Sequence, residues 1–276
     1  MTTKLTHLFL IILLFVSCSG LFYYPSQEKF YDPKQFSLEY EDLWIESTDG
    51  VKLNAWHIKN PKAKEHKGLI LHFHGNAENI SSHFLNLAWI TEFGYELLIF
   101  DYRGYGRSNG EPNQVGTHQD ALAALKFALK KMESKPKSKF VVYCQSLGGI
   151  ICARALADLE NTESINLLVL DSTFSSYQDI ANQKLKDHWL TFLFSPLSML
   201  LISDKMSSKK YLPHLKMKKL VYHSKADFVI PYKFGEEIFS LLSEPKTFIG
   251  LESENHIQVF KEKKRRDEFV EILNAL

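Results

Sequence analysis

Tyr143-Cys144-Gln145-Ser146-Leu147-Gly148-Gly149 closes the β-rich run Phe140 to Cys144 and opens a stretch rich in Ala, Ile and Leu, Leu147 to Leu159. A strand that turns sharply into a helix pushes the side chain at the turn out of the sheet. The turn closes only if the residues two before and two after it are small, so that strand and helix can approach. Gly148 meets that condition. Cys144 stands where Gly is usual, and cysteine is still small. Alone, a serine between small residues is more often a plain turn than a nucleophile, so the surrounding pattern has to decide.

That pattern alternates. Leu43 to Ser47 and Val51 to Ile58 form a predicted hairpin around Asp49-Gly50, a turn dipeptide. Gly68 to Phe73, Glu96 to Phe100, Phe140 to Cys144, Leu167 to Leu170, Leu220 to Tyr222 and Thr247 to Ile249 are predicted strands. His118 to Lys131, Leu147 to Leu159, Tyr232 to Leu242 and Phe269 to Leu276 are predicted helices. Strands alternating with helices imply a mostly parallel central sheet with helices on both faces. The block 174–218 is long for a connection within one domain. It reads as a helix plus a small cap-like insertion. Its aromatics, from Trp189 to Phe194, either line an apolar pocket or pack on the sheet.

Composition removes several classes. Lys+Arg 33 against Asp+Glu 32 lacks the basic excess of a nucleic-acid binder. The cluster Lys261, Lys263, Lys264, Arg265, Arg266 reads as a solvated helix face more readily than as a patch for anionic lipid. Cys18, Cys144 and Cys152 have neither zinc-site spacing nor a CxxC. A Cys144–Cys152 disulfide across one turn is sterically awkward, so both read as buried thiols. His72 and His74 share one strand face without a third ligand, so they are read as structural and no metal is assigned. The loop holding Gly104, Gly106 and Gly110 lacks the layout that cradles a dinucleotide, so no cofactor is assigned.

Further motifs carry a resemblance. His72-Phe73-His74-Gly75-Asn76-Ala77 follows the third strand, and Asp101-Tyr102-Arg103-Gly104-Tyr105-Gly106-Arg107-Ser108 follows the fourth. Asp171-Ser172-Thr173-Phe174 follows the sixth, and His223-Ser224-Lys225-Ala226-Asp227-Phe228-Val229-Ile230-Pro231 comes later. Over residues 40–260 the chain resembles the α/β-hydrolase superfamily, and within it the Bem46-like serine hydrolases. The resemblance implies the chain order nucleophile, acid, histidine. Ser146, Asp227 and His256 fit it, and His256 is the histidine that follows Asp227. Asp171, also at a strand end, competes with Asp227 for the acid. Asn255 stands where the family carries Gly before the histidine, and Asn tolerates a left-handed backbone. The backbone N–H groups of Leu147 and Asn76 are the expected oxyanion donors.

The N-terminus reads separately. Lys4 and His7 precede the apolar run Leu8 to Val16, which suits a signal peptide better than a transmembrane helix. Phe15-Val16-Ser17-Cys18 resembles the lipobox of bacterial lipoproteins, which implies lipidation at Cys18; an uncleaved anchor is the alternative. Residues 1–18 are thus set apart as a signal, 19–39 as a linker and 40–276 as the α/β-hydrolase domain. The combined expectation is a membrane-anchored, extracytoplasmic hydrolase of the bacterial envelope, cleaving an acyl ester or thioester without a cofactor. A peptidase on the same machinery and a non-catalytic envelope scaffold are the rivals. The oligomeric state is left open.

Overall fold

The hairpin at Asp49-Gly50 joins the strands β1 (Glu39–Glu46) and β2 (Lys52–Lys59), with Gly50 at φ 84°. In this computed structural model, which describes residues 22–63, 65–187 and 189–276, six further strands complete one sheet. They are β3 (Gly68–Phe73), β4 (Tyr95–Phe100), β5 (Lys139–Gln145), β6 (Leu167–Asp171), β7 (Lys218–Ser224) and β8 (Lys246–Leu251). Their order is β8-β7-β6-β5-β3-β4-β2-β1. From β4 to β8 every pairing is parallel, and β2 pairs antiparallel with both β1 and β4. The chain therefore shows the α/β-hydrolase fold the sequence implied. Among the described residues the longer helices are α1 (Gln114–Glu133), α2 (Leu147–Ala157), α3 (Tyr177–Asp187), α4 (Lys233–Leu241) and α5 (Lys263–Asn274).

Period-two alternation along the inner strands feeds two cores. Leu69, Leu71 and Phe73 of β3, Val142 and Cys144 of β5, and Leu168 and Leu170 of β6 point into the layer that α1 and α2 cover. Ile70, Val141, Tyr143, Leu167 and Val169 point to the other layer, against Phe269 and Leu273 of α5. β3 and β6 are buried at every position because helices cover both faces. The parallel strands then end together, and the loops leaving their carboxyl ends form one rim.

Three differences from the expected elements have local causes. α1 begins at Gln114, four residues earlier than its apolar spacing implies, because the Asn113 side chain accepts the Gly116 N–H and caps a polar first turn. α5 begins at Lys263, before its first buried residue, and is supported there by Lys263–Asp267 at 2.6 Å and Arg265–Glu268 at 2.8 Å. The aromatics from Trp189 to Phe194 neither line the pocket nor pack on the sheet. Trp189, Phe192, Leu193 and Phe194 face solvent. Cys144 and Cys152 are buried free thiols, and burial together with the neighbouring Cys152 pushes the Cys144 thiol up. The proposed lipidation site, Cys18, lies outside the described residues.

The loop after β4 is tied down by one guanidinium. Arg103 Nη2 bonds Asp120 Oδ1 of α1 at 2.8 Å, and Nη1 bonds Asp49 Oδ2 in the hairpin turn at 2.8 Å. Asp120 is fully buried. Removing Arg103 leaves that carboxylate unpaired in the interior. Arg103→Ala should therefore lose about 3–5 kcal/mol in guanidinium denaturation. A loss well below about 1 kcal/mol would show the pair to be no better than a surface ion pair.

Candidate active site

The turn between β5 and α2 holds Ser146 at φ 51°, ψ −121°, a conformation that L residues avoid. Such strain costs about 1–3 kcal/mol and persists only when the surroundings over-determine it. Here they do. Ser146 N–H donates to Asp171 O at 2.9 Å, and its carbonyl accepts from the Gly149 N–H and the Thr173 hydroxyl. Gly148 lies so close to β3 that a Cβ would sit 2.5 Å from Phe73 O and 2.6 Å from His74 O. Only glycine fits there. Cys144, two residues before the serine, is buried at the end of β5 without obstructing the turn.

Three chain-distant side chains meet above this turn. His256 Nε2 lies 2.9 Å from Ser146 Oγ, and His256 Nδ1 lies 2.7 Å from Asp227 Oδ2. With Nδ1–H donating to the carboxylate, Nε2 is left to accept the serine proton. Asp227 is fixed in turn. Its Oδ1 accepts the N–H groups of Val229 and Ile230, both at 2.8 Å. Ser224, where the family motif has Gly, caps the same loop by accepting the Ala226 N–H. Burial works against the charge on Asp227, but the hydrogen bond and charge of His256 outweigh it and hold the carboxyl below its usual range.

Asp171, the competing acid, is occupied elsewhere. Its oxygens take the Tyr143 hydroxyl at 2.8 Å, Gln145 Nε2 at 3.0 Å and the Ser172 hydroxyl at 3.0 Å. Burial raises its pKa in spite of those donors. The expected left-handed residue before the histidine is displaced by two positions. Asn255 has an ordinary backbone, and Ile257 carries φ 54° instead, its N–H reaching Ser172 Oγ at 3.4 Å. Ser172 itself has φ 53°. Left-handed residues that are not glycine thus gather around His256 at the ends of β5, β6 and β8.

A cavity of about 410 Å³ opens beside Ser146. Asn76 and Leu147, the expected oxyanion donors, both line it. Leu147 is the first residue of α2, so its N–H has no partner within the helix, and the helix dipole favours negative charge there. The Asn76 side chain is held by Tyr24 N–H at 3.0 Å and the Tyr105 hydroxyl at 3.1 Å, which orients the loop after β3. The walls are apolar: Phe22, Phe174, Ile180, Leu185, Ile202 and Val229, with Lys184 the charged residue among them. Sequence reasoning missed several of these contributors. Residues 19–39 read as a linker, yet Tyr24 and Pro25 pair in parallel with Ala77 and Glu78, and Phe22 closes one wall. Thr173 and Ser172 gave no signal beyond their motif. His72 bonds Gln145 at 2.9 Å and burial pushes it down to about 3, while His74 bonds Gly75 O at 2.8 Å.

Comparison with known proteins finds similar sequences and a similar fold. The profile of the family described as "Serine aminopeptidase, S33" matches residues 64–210. The chain is 33% identical over 264 residues to "Uncharacterized protein YfhR" of Escherichia coli (strain K12), covering 93% of this chain and 88% of that one. It is 33% identical over 157 residues to "Protein bem46" of Schizosaccharomyces pombe, covering 56% and 51%. It is 23% identical over 235 residues to "Lysophosphatidylserine lipase ABHD12" of Danio rerio, covering 76% and 60%. Among solved structures it superimposes on the Pyrococcus furiosus esterase Pf2001 with a TM-score of 0.70 and 22% identity, covering 92% and 97%, a likeness of fold.

The Asp227 carboxyl has a stability consequence. Its folded pKa is depressed, so as pH falls the unfolded chain takes up the proton first. The stabilisation is complete above about pH 3.9, the unfolded value, and is lost as pH falls through the lower folded value. In urea titrations across that range the stability advantage of wild type over Asp227→Asn should shrink. A constant difference would mean the His256–Asp227 contact contributes no ionic stabilisation.

Proposed function

We propose that this chain, which belongs to the serine aminopeptidase S33 family of α/β-hydrolases and is Bem46-like within that fold, cleaves esters or thioesters of lipophilic acyl groups through Ser146, His256 and Asp227. That it is a hydrolase follows from the family. The finer reading rests on one observation, the hydrogen-bond chain Ser146–His256–Asp227 opening onto an apolar cavity.

A serine hydroxyl is a weak nucleophile near neutral pH and needs a base in contact. His256 Nε2 takes the proton as Ser146 Oγ bonds the substrate carbonyl carbon. Asp227 keeps Nδ1 protonated and stabilises the imidazolium that forms. The negative oxygen of the tetrahedral intermediate meets the N–H groups of Leu147 and Asn76, each such donor worth about 3 kcal/mol. His256 then gives its proton to the leaving oxygen or sulfur, and the acyl group stays on Ser146. Water, deprotonated by the same imidazole, releases the acid and regenerates the serine. The apolar walls favour an acyl chain over a charged side chain. The family description gives a peptidase as the second reading, and the same machinery would serve it.

A fluorophosphonate probe should label the wild type and leave Ser146→Ala unlabelled. Absence of labelling in both would favour a non-catalytic scaffold. Asp227→Asn should lower kcat on a short-chain ester by about 10⁴-fold with the fold intact. Faster cleavage of aminoacyl amides than of esters would move the assignment to a peptidase.

The N-terminal sequence adds a proposal of location: a tether at Cys18 that holds the enzyme outside the cytoplasm. Cys18→Ser should release the protein from the membrane fraction. Undiminished membrane association of that variant would eliminate the lipid anchor.

A further inference from the structure

The 189–201 segment exposes Trp189, Phe192, Leu193, Phe194, Met199 and Leu200, with Leu200 81% and Trp189 76% accessible. Exposed apolar side chains scattered singly are ordinary, but a run of this length is not. Its position is specific. α3 presents Ile180, Ala181 and Leu185 to the cavity beside Ser146. Its neighbouring face holds the exposed segment: Gln178 Nε2 donates to the carbonyls of Met199 and Ile202, and Asn182 Nδ2 to that of Ser195. One helix thus carries the pocket wall and the apolar surface side by side. On the far rim Phe228 is 76% accessible, and Lys184 Nζ reaches across to its carbonyl at 3.0 Å.

We propose that this face docks on an anionic lipid bilayer, with the cavity over Ser146 opening toward the membrane. Three observations select that occupant. Aromatic and aliphatic side chains bordered by lysines suit the headgroup boundary, where tryptophan is favoured. Residues 177–210 carry five lysines against three aspartates, while the rest of the chain holds 28 basic and 29 acidic residues. Lys186, Lys205 and Lys210 are exposed there, which favours an anionic surface. Phe22 and Tyr24 line the same cavity, so the described chain enters the fold on the pocket side. Chain entry, apolar face and cavity mouth then address one membrane. A lipophilic acyl substrate can pass from the bilayer to Ser146 without crossing water. The purpose of this arrangement rests on the acyl-hydrolase reading; its test does not.

The full-length chain is mixed with phosphatidylcholine–phosphatidylglycerol vesicles whose acyl chains are brominated, and tryptophan emission is followed. Quenching is expected, with its main part lost in Trp189→Phe. Leu193→Asp/Leu200→Asp should abolish it while keeping wild-type circular dichroism and hydrolysis of a water-soluble ester. Ser146→Ala should be quenched like wild type, so an inactive protein would not hide the result. Unquenched Trp189 on protein that floats with the vesicles would overturn the proposal. So would a stable dimer in which Trp189 is shielded from iodide, since a second copy would then cover the face. Equal quenching by phosphatidylcholine alone would overturn the preference for anionic lipid.

Discussion

The close approach of α2 to β3 is the constraint on which the site depends. Gly148 brings the helix against the Phe73 and His74 carbonyls, and that approach forces Ser146 into φ 51°, ψ −121°. A relaxed turn would lay the hydroxyl back along the sheet. The strained one lifts it toward His256, and the bonds from Asp171, Gly149 and Thr173 hold it there. Ser172 and Ile257, also at positive φ, lie on the loops that meet it. Strain gathered at strand ends is stable because the sheet beneath, buried on both faces, supplies the compensating packing.

The buried carboxylates illustrate how surroundings assign roles. Asp171 is fully buried and bonded to neutral donors, so burial dominates and favours its protonated form. Asp101 is buried likewise, accepting the Ile80 N–H, and its pKa is also raised. Asp101 faces His74 Nε2 at 3.5 Å, but burial keeps that imidazole neutral; Asp227 meets His256 at 2.7 Å, and its pKa falls. Environments that push similar groups apart distinguish the acid that can stabilise an imidazolium from those that brace the scaffold.

The cavity and the exposed segment beside it follow from the division of α3 between two faces. Ile180 and Leu185 shape the wall, while Gln178 and Asn182 fasten the segment whose apolar side chains remain in solvent. That wall and the exposed segment arise from one insertion after β6, at the rim where the α/β-hydrolase fold collects its chemistry. Variation there changes what reaches Ser146 without disturbing the sheet.

Much was legible in the sequence because the signals are local. The strand–turn–helix around Ser146, the β-rich run Phe140 to Cys144, and the turn at Asp49-Gly50 each depend on residues a few positions apart. Chain order also favoured Asp227 and His256, though it left Asp171 in contention. What tertiary structure decided depends on distance in space. Only packing shows that Asp171 is already taken by Tyr143 and Gln145. Only packing shows that the left-handed strain before the last helix falls on Ile257 and not on Asn255, because the bond to Ser172 sets that turn. The stretch read as a linker becomes a pocket wall by pairing with a loop more than fifty residues away, Tyr24 to Ala77. Trp189 to Phe194 read as core or pocket because sequence registers hydrophobicity, whereas exposure is a property of neighbours, and neighbours exist only once the chain has folded.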